Sequence, residues 1–383
     1  MTVADAHAWL RLAVETPSPS GGEADVVARL AGALPVRQGG DAFDDVHVDA
    51  AGNLHAVRGH GSVEVLALGH LDTVPGDVPV EVRDGALYGR GAVDAKGPLC
   101  AALAAAAALP PDVRDAVTVR VVGAVGEEAP GSVGARHLLA THSAPDRLIV
   151  LEPSGWDAVT LGYKGRAAAR VRVVRSAAHG AGPAPSAADT LVAWLASLHA
   201  DRDAITAAEA PAGAFDALQA SVTALEHASD GLEVRAEATV AFRLPPSWPP
   251  DRLAAWLDAR PRPDGLHVEI APERLAAVRA PRDGELQRAL RTAIRAEGGR
   301  PRTVVKTGTS DWNVVADAWP VATVAYGPGD ASLDHTPNEH LDLAAFDAAT
   351  RVLTRTFAHL AGVRDAAVHE AARTPKGPRH ERS

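Results

Sequence analysis

Residues 63–75 read VEVLALGHLDTVP, an apolar run that stops on a histidine, an acid two positions later and a proline. A short run of Val and Leu bounded by turn residues is the pattern of a strand buried in a sheet. His70 and Asp72 stand two apart, so in extended chain their side chains leave the same face at the strand's carboxyl end. Open α/β sheets bind their ligands at that end. A neutral histidine is a good metal ligand, and a neighbouring carboxylate can accept its other N–H and set the tautomer. The pair alone also fits a purely structural role, and other segments must decide.

The same texture recurs on both sides of this stretch. HVDAAGNLHAVRG (47–59) and VTVRVVGAVGEE (117–128) read as strands, RLIVLEPSG (147–155) as another, and the alanine-rich run after Lys96 as the helix between two of them. Upstream, ETPSPSGGE (15–23) breaks one helix, and Ser20 or Gly21 is placed to begin the next. Alternating strands and helices predict an α/β domain, its mainly parallel mixed sheet covered by helices. From about Gly165 the texture changes. RAAARVRVVRS, SAADTLVAWLASLHA, LQASVTALEHA, LEVRAEATVAFRL and DRLAAWLDARP give strand, helix, strand, strand, helix, and the block closes near GLHVEIAPE. DGELQRALRTAIRAEGG (283–299) and WPVATVAYG (319–327) then resume the first pattern. The expected organisation is a catalytic domain in two parts, 1–164 and 273–361, with a smaller α+β, ferredoxin-like lid or dimerisation domain inserted at 165–272. The polar, partly basic stretch 362–383 is expected to be a disordered tail.

Composition narrows the function. At 383 residues, with about 150 per domain as the prior, two domains are expected. A net charge of −10 disfavours nucleic-acid binding, which needs a basic face. One cysteine, Cys100, excludes a disulfide framework and a thiolate-rich metal site, so any metal must be held by His, Asp and Glu. The start MTVADAHAWL lacks the layout of a secretory signal, and the longest weakly polar stretch, 99–111, is shorter than the ~20 residues that span a bilayer. A cytoplasmic protein with no membrane role is expected.

Further acids and histidines follow the remaining strands. In LYGRGAVDAKG (87–97), Asp94 stands among glycines just before the alanine-rich helix, where an aspartate is either a helix cap or a bridge between two cations. Glu127 and Glu128 end the apolar strand read in VTVRVVGAVGEE; ionised together in a cleft they need a cation nearby, whereas in a solvated turn they need nothing. Being adjacent they point different ways, so one can bind metal while the other faces water. Glu152 follows the next strand, and His335 lies in DASLDHTPNEH (330–340). Mixed His and carboxylate sets hold borderline divalent cations, zinc most commonly.

These ordered motifs resemble the metallopeptidase superfamily of acetylornithine deacetylase, succinyl-diaminopimelate desuccinylase, aminoacylase and glutamate carboxypeptidase, over nearly the whole chain to about residue 361. The resemblance implies two divalent cations per subunit, Zn2+ or alternatively Co2+. His70, Asp94 and Glu152 would hold one; Asp94, Glu128 and His335 would hold the other. It further implies that Asp72 orients His70, that the peptide bond after Asp94 is cis, and that Glu127 is the general base which takes a proton from water and returns it to the leaving amine. His179 in SAAHGAGP would supply the oxyanion donor, commonly from a partner subunit, which implies a homodimer.

A finer resemblance rests on LEPSG (151–155), LGYKG (161–165) and VKTGTSDWNV (305–314). These are similar to the family members that free lysine, or ornithine, from the γ-carboxyl of the C-terminal glutamate of the acidic amino-group carrier protein LysW. In that reading Lys306, Thr307, Ser310, Asp311 and Asn313 line the amino-acid pocket, and Arg243 pairs with the α-carboxylate, although Arg243 equally fits an exposed strand edge. An acidic carrier and a chain of charge −10 repel, so a basic patch from Arg274, Arg279, Arg282, Arg300 and Arg302 is expected. The alternatives are a deacetylase of free N-acetylornithine or N-acetyl-lysine, and an inactive metal-binding scaffold; the second has no use for Glu127.

Overall fold

The computed structural model describes residues 3–36, 43–177 and 184–362. They form two compact units. The first comprises the described residues of Met1–Leu161, Ala280–Val304 and Val315–Ser383; the second comprises Gly162–Arg279 and Val305–Val314.

The first unit is built on a mixed sheet in which strands run in the order 45–48, 54–58, 117–124, 63–70, 147–150 and 322–325, then residues 158–161 of the strand Ala158–Tyr163. The four from 117–124 to 322–325 are parallel neighbours, so their carboxyl ends share one edge. Those strands are near-continuous apolar runs because helices cover both faces. Val65, Leu66, Ala67 and Leu68 are all buried, as are Leu148, Ile149 and Val150. Every residue of the helix Lys96–Ala107 is buried. Its run of alanines presents no apolar stripe, since all sides face protein, and the small side chains let the sheet, the helix Val3–Glu15 and the helix Leu343–Leu360 approach closely. The last of these begins at Asp342, whose carboxylate accepts from Ala345 N–H at 2.7 Å, and it buries Phe346, Val352, Leu353 and Phe357. Each such side chain contributes about 1.5–3 kcal/mol by leaving water.

Two local expectations are corrected here. HVDAAGNLHAVRG is a hairpin, not one strand: Asp45–Val48 pairs antiparallel with Leu54–Arg58, and the Asp49 carboxylate accepts from Ala51 and Asn53 N–H at 2.9 and 3.0 Å to fold the turn. The second helix begins at Ala24 rather than at Ser20 or Gly21. The Ser20 hydroxyl is used elsewhere, as described below.

The second unit holds a four-stranded antiparallel sheet made from Gly165–Ser176, Gln219–Ser229, Glu233–Leu244 and Leu266–Ile270, with helices Ala187–Glu209 and Pro250–Asp258. The spatial order is second, third, first, fourth in chain order, the ferredoxin-like arrangement. The longer helix starts with a capping box between Ser186 and Asp189. Val171, Val173, Leu191, Trp194, Val240 and Phe242 are among its core. Residues 305–314, read from sequence with the second catalytic part, pack in this unit. Lys164 N–H donates to the Lys306 carbonyl at 3.1 Å, and the Asn313 amide donates to the Lys164 and Ala276 carbonyls at 3.1 and 2.8 Å. Among the described residues no helix is long and apolar enough to cross a membrane.

Candidate metal centre

At the carboxyl ends of the parallel strands, His70 closes the strand Val63–His70 and is 1% exposed. Its Nδ1 lies 2.9 Å from the main-chain carbonyl oxygen of Asp72 and 3.5 Å from that residue's Oδ1. A carbonyl only accepts, so Nδ1 carries the hydrogen and Nε2 is the ring atom available to ligate. The main-chain oxygen of Asp72 is thus a nearer acceptor for His70 than its carboxylate. His70 Nε2 faces Asp94 Oδ1 at 3.2 Å and Glu152 Oε1 at 4.0 Å.

Asp94 stands between two histidines. Its other oxygen, Oδ2, is 3.1 Å from His335 Nε2, which is also 2.8 Å from Glu128 Oε1. The helix that follows has Ala95 at its N-cap and no side-chain cap bond, so the capping alternative for Asp94 falls away. The Asp94–Ala95 peptide is cis, as the resemblance implied. Just upstream, Gly91 holds φ 83°, and a Cβ there would stand 2.8 Å from Thr73 Cγ2 and 2.9 Å from Lys96 Cδ. His335 itself has φ 62°, a left-handed backbone unusual outside glycine and recurrent at functional sites.

The Glu127–Glu128 turn hangs on Asp72. Its Oδ1 accepts from Glu127 N–H at 3.0 Å, and its Oδ2 accepts from Glu128 N–H at 2.9 Å and from the Ser20 hydroxyl at 2.7 Å. Gly126, with φ 71°, turns the chain into this position, and its N–H donates to Glu23 Oε1 at 3.0 Å. Sequence reasoning missed Ser20 and Glu23, which lie in a loop read as a helix start. It also missed Glu339, a buried acid whose oxygens accept from the main chain around Asp94 and from Arg90.

The carboxylates of this cluster favour positive charge on the histidines beside them. Burial disfavours a charge on His70, but hydrogen bonds to Asp72 and Asp94 outweigh it and hold its pKa well above the ordinary value. Hydrogen bonds to Asp94 and Glu128 push His335 up to about 10. Burial raises Asp94, yet the bonds to His335 and His70 pull it well below the usual carboxylate range. Burial likewise opposes ionisation of Asp72, and His70, Ser20 and the Glu128 N–H bring it down to about 2. Protons on the two histidines therefore stand where positive charge is needed. His70, Asp94 and Glu128 bring ligand atoms within 4.8 Å of one another, and the mixed nitrogen and oxygen donors suit a borderline divalent cation. The donor set fits such an ion.

The expected substrate residues fall in the second unit. Ser310 and Asp311 are buried, Trp312 meets Tyr163 edge-on with ring centroids 6.3 Å apart, and Arg243 Nη1 donates to the Thr309 hydroxyl at 3.3 Å while remaining exposed. Asn313 is 6% exposed and its amide is committed to the fold: Oδ1 accepts from Ser310 N–H at 3.0 Å and Nδ2 makes the two bonds given above. Lys306 is half-buried and Thr307 exposed. His179 and the tail from 363 onward lie outside the described residues. Of the arginines expected to form a basic patch, Arg279 pairs with Asp216 at 3.2 Å and Arg302 with Asp157 at 2.6 Å, which lowers the positive charge they offer.

Residues 66–359 match the peptidase family M20/M25/M40. The chain belongs to this family. This M20 chain is 46% identical over 359 residues to the LysW-lysine hydrolase of Deinococcus radiodurans, covering 93% of the chain and 97% of that relative. It is 33% identical over 370 residues to a putative LysW-lysine/LysW-ornithine hydrolase of Thermococcus kodakarensis, with 96% of each covered. In fold it resembles the M20 family metallo-carboxypeptidase Sso-CP2 of Sulfolobus solfataricus, with TM-score 0.69, 17% identity, and 92% and 98% of the two chains covered.

Proposed function

We propose that this M20 hydrolase is a two-zinc amidohydrolase that releases lysine, or ornithine, from the C-terminal γ-glutamyl group of the carrier protein LysW. The observation that carries the chemistry is the placement of Asp94, with one oxygen on His70 and the other on His335. His70, Asp94 and Glu152 would hold one cation in this reading, and Asp94, Glu128 and His335 the other. Cations held there would supply a water acidic enough to ionise near neutrality and a Lewis acid for the amide carbonyl. Glu127 takes the water's proton and hands it to the leaving amine, while Asp72 holds the main chain of Glu127 and Glu128 so that one carboxylate serves water and the other metal. His179, from a second copy of the chain in a homodimer, donates to the oxyanion.

The substrate assignment is supported by the relatives' names and their coverage of the whole chain. Arg243, Lys306, Thr307, Ser310 and Asp311 are proposed to receive the amino acid, with Asn313 acting as the strut of that segment. The enzyme is proposed to work in the cytoplasm in amino-acid biosynthesis. The test compares hydrolysis of LysW-linked lysine and ornithine with that of free acetyl-lysine and acetylornithine by the zinc-loaded protein. Higher kcat/KM on the carrier-linked compounds is expected; higher kcat/KM on the acetylated ones makes the chain a deacetylase, and hydrolysis of neither leaves a metal-binding scaffold.

A further inference from the structure

We infer that Glu339 is a positioning residue for the two-cation centre, a buried carboxylate that fixes the bridging Asp94 relative to the segment carrying His335. The inference rests on the metal site proposed above. Glu339 is 1% exposed. Its Oε1 accepts from two successive main-chain N–H groups, Val93 at 3.0 Å and Asp94 at 3.1 Å. Its Oε2 accepts from Arg90 Nη1 at 2.7 Å, and Arg90 Nε in turn donates to the Gly76 carbonyl at 2.9 Å. The main chain closes the same clamp, with Gly89 N–H donating to the Glu339 carbonyl at 3.2 Å. From there the chain continues as the strand His340–Asp342, paired antiparallel with Ala86–Tyr88, and His340 stacks on Tyr88 at 4.5 Å.

The geometry has a specific consequence. Asp94 offers one oxygen to each histidine, so a small rotation of its main chain moves both donor atoms at once. His335 lies four residues before Glu339 on the same segment, so the carboxylate that holds Asp94 also ties down the chain leading to the other ligand. A carboxylate suits this place because the donors around it, two N–H groups and a guanidinium, leave nothing for an amide NH2 to bond to. Glutamine at 339 keeps the size and forces one donor against another. Groups behind metal ligands commonly change metal affinity about 10- to 100-fold when removed.

The test measures zinc affinity and stoichiometry of the full chain, with zinc alone as the probe, competed against a chromophoric chelator. Glu339→Gln is expected to weaken the more weakly held cation about 10- to 100-fold, with turnover at limiting zinc reduced, KM little changed and kcat recovering as zinc is raised. Arg90→Met, which spares both main-chain bonds, is expected to show a smaller loss and keeps the inference testable if Glu339→Gln does not fold. Glu297 is the control, since it is a half-buried acid bonded to Arg351 and Arg355 at 2.6 and 2.7 Å in the same unit. Glu297→Gln is expected to lower the melting temperature without altering zinc affinity. If wild type binds two zinc ions and Glu339→Gln binds two with unchanged affinity, or if Glu297→Gln weakens zinc as much, the positioning role is overturned. If wild type itself does not bind two ions, the site reading falls and this inference with it.

Discussion

Replacing Asp72 by Asn tests how the Glu127–Glu128 turn is held. The side chain is fully buried and accepts three hydrogen bonds, from Glu127 N–H, Glu128 N–H and the Ser20 hydroxyl. Its pKa of about 2 lies below the ordinary 3.8. A carboxyl whose folded pKa is depressed stabilises the fold above its unfolded pKa and loses that stabilisation as pH falls through the folded one. The contribution is therefore complete at pH 7, worth about 2 kcal/mol, and falls to about half at pH 3. Asparagine keeps one acceptor and turns an NH2 toward a main-chain donor, adding about 1–3 kcal/mol for an unsatisfied buried group. A total loss of about 3–5 kcal/mol is expected at pH 7, read from urea unfolding of the chelator-treated protein, and the gap to wild type should narrow as pH is lowered toward 3. Because Glu127 and Glu128 both hang on this residue, zinc affinity and kcat should fall together. Equal stability of the two proteins at pH 7, or a gap that widens on acidification, would refute the reasoning.

Glu127→Gln is expected to retain both zinc ions while kcat falls about 10²- to 10⁴-fold, as measured by metal analysis and turnover on the same sample. His70→Ala should instead lose metal along with activity. Zinc binding should release protons, because hydrogen bonds to Asp94 and Glu128 hold His335 at about 10 and His70 is also raised. In the metal-free protein these raised pKa values stabilise the fold below about pH 6.5 and lose that effect as pH climbs toward 10. Calorimetry of zinc binding at pH 7.5 in buffers of different ionisation heat should therefore show release of about one to two protons, and apparent affinity should rise with pH between about 6.5 and 9. In His335→Gln the release should drop by about one; an unchanged release would remove His335 from the site.

How much of this was legible in the sequence depends on the kind of signal. Strands 63–70, 117–124 and 147–150 showed plainly because a parallel strand covered on both faces must be apolar throughout, and the proposed ligands stand where each run stops. The order of the inserted unit was readable for a similar reason, since its strands alternate buried and exposed residues, as in Gly165–Ser176. The hairpin at 45–58 was overlooked although Asp49, Gly52 and Asn53 carry its turn chemistry. The packing of 305–314 in the second unit left no local trace, because it depends on Asn313 reaching carbonyls at Lys164 and Ala276, far away in the chain. Glu339 was invisible for the same reason: its partners are main-chain N–H groups some 245 residues away, which no side-chain pattern announces.

The account stands on two cations sharing Asp94 between His70 and His335, and titrating zinc into the metal-free protein while following hydrolysis of LysW-linked lysine tests that most directly. Turnover absent without metal and rising to a plateau at two equivalents, with the Asp94→Asn protein flat throughout, is the predicted result. Full turnover in the presence of excess chelator, or a plateau at two equivalents retained in Asp94→Asn, would contradict it.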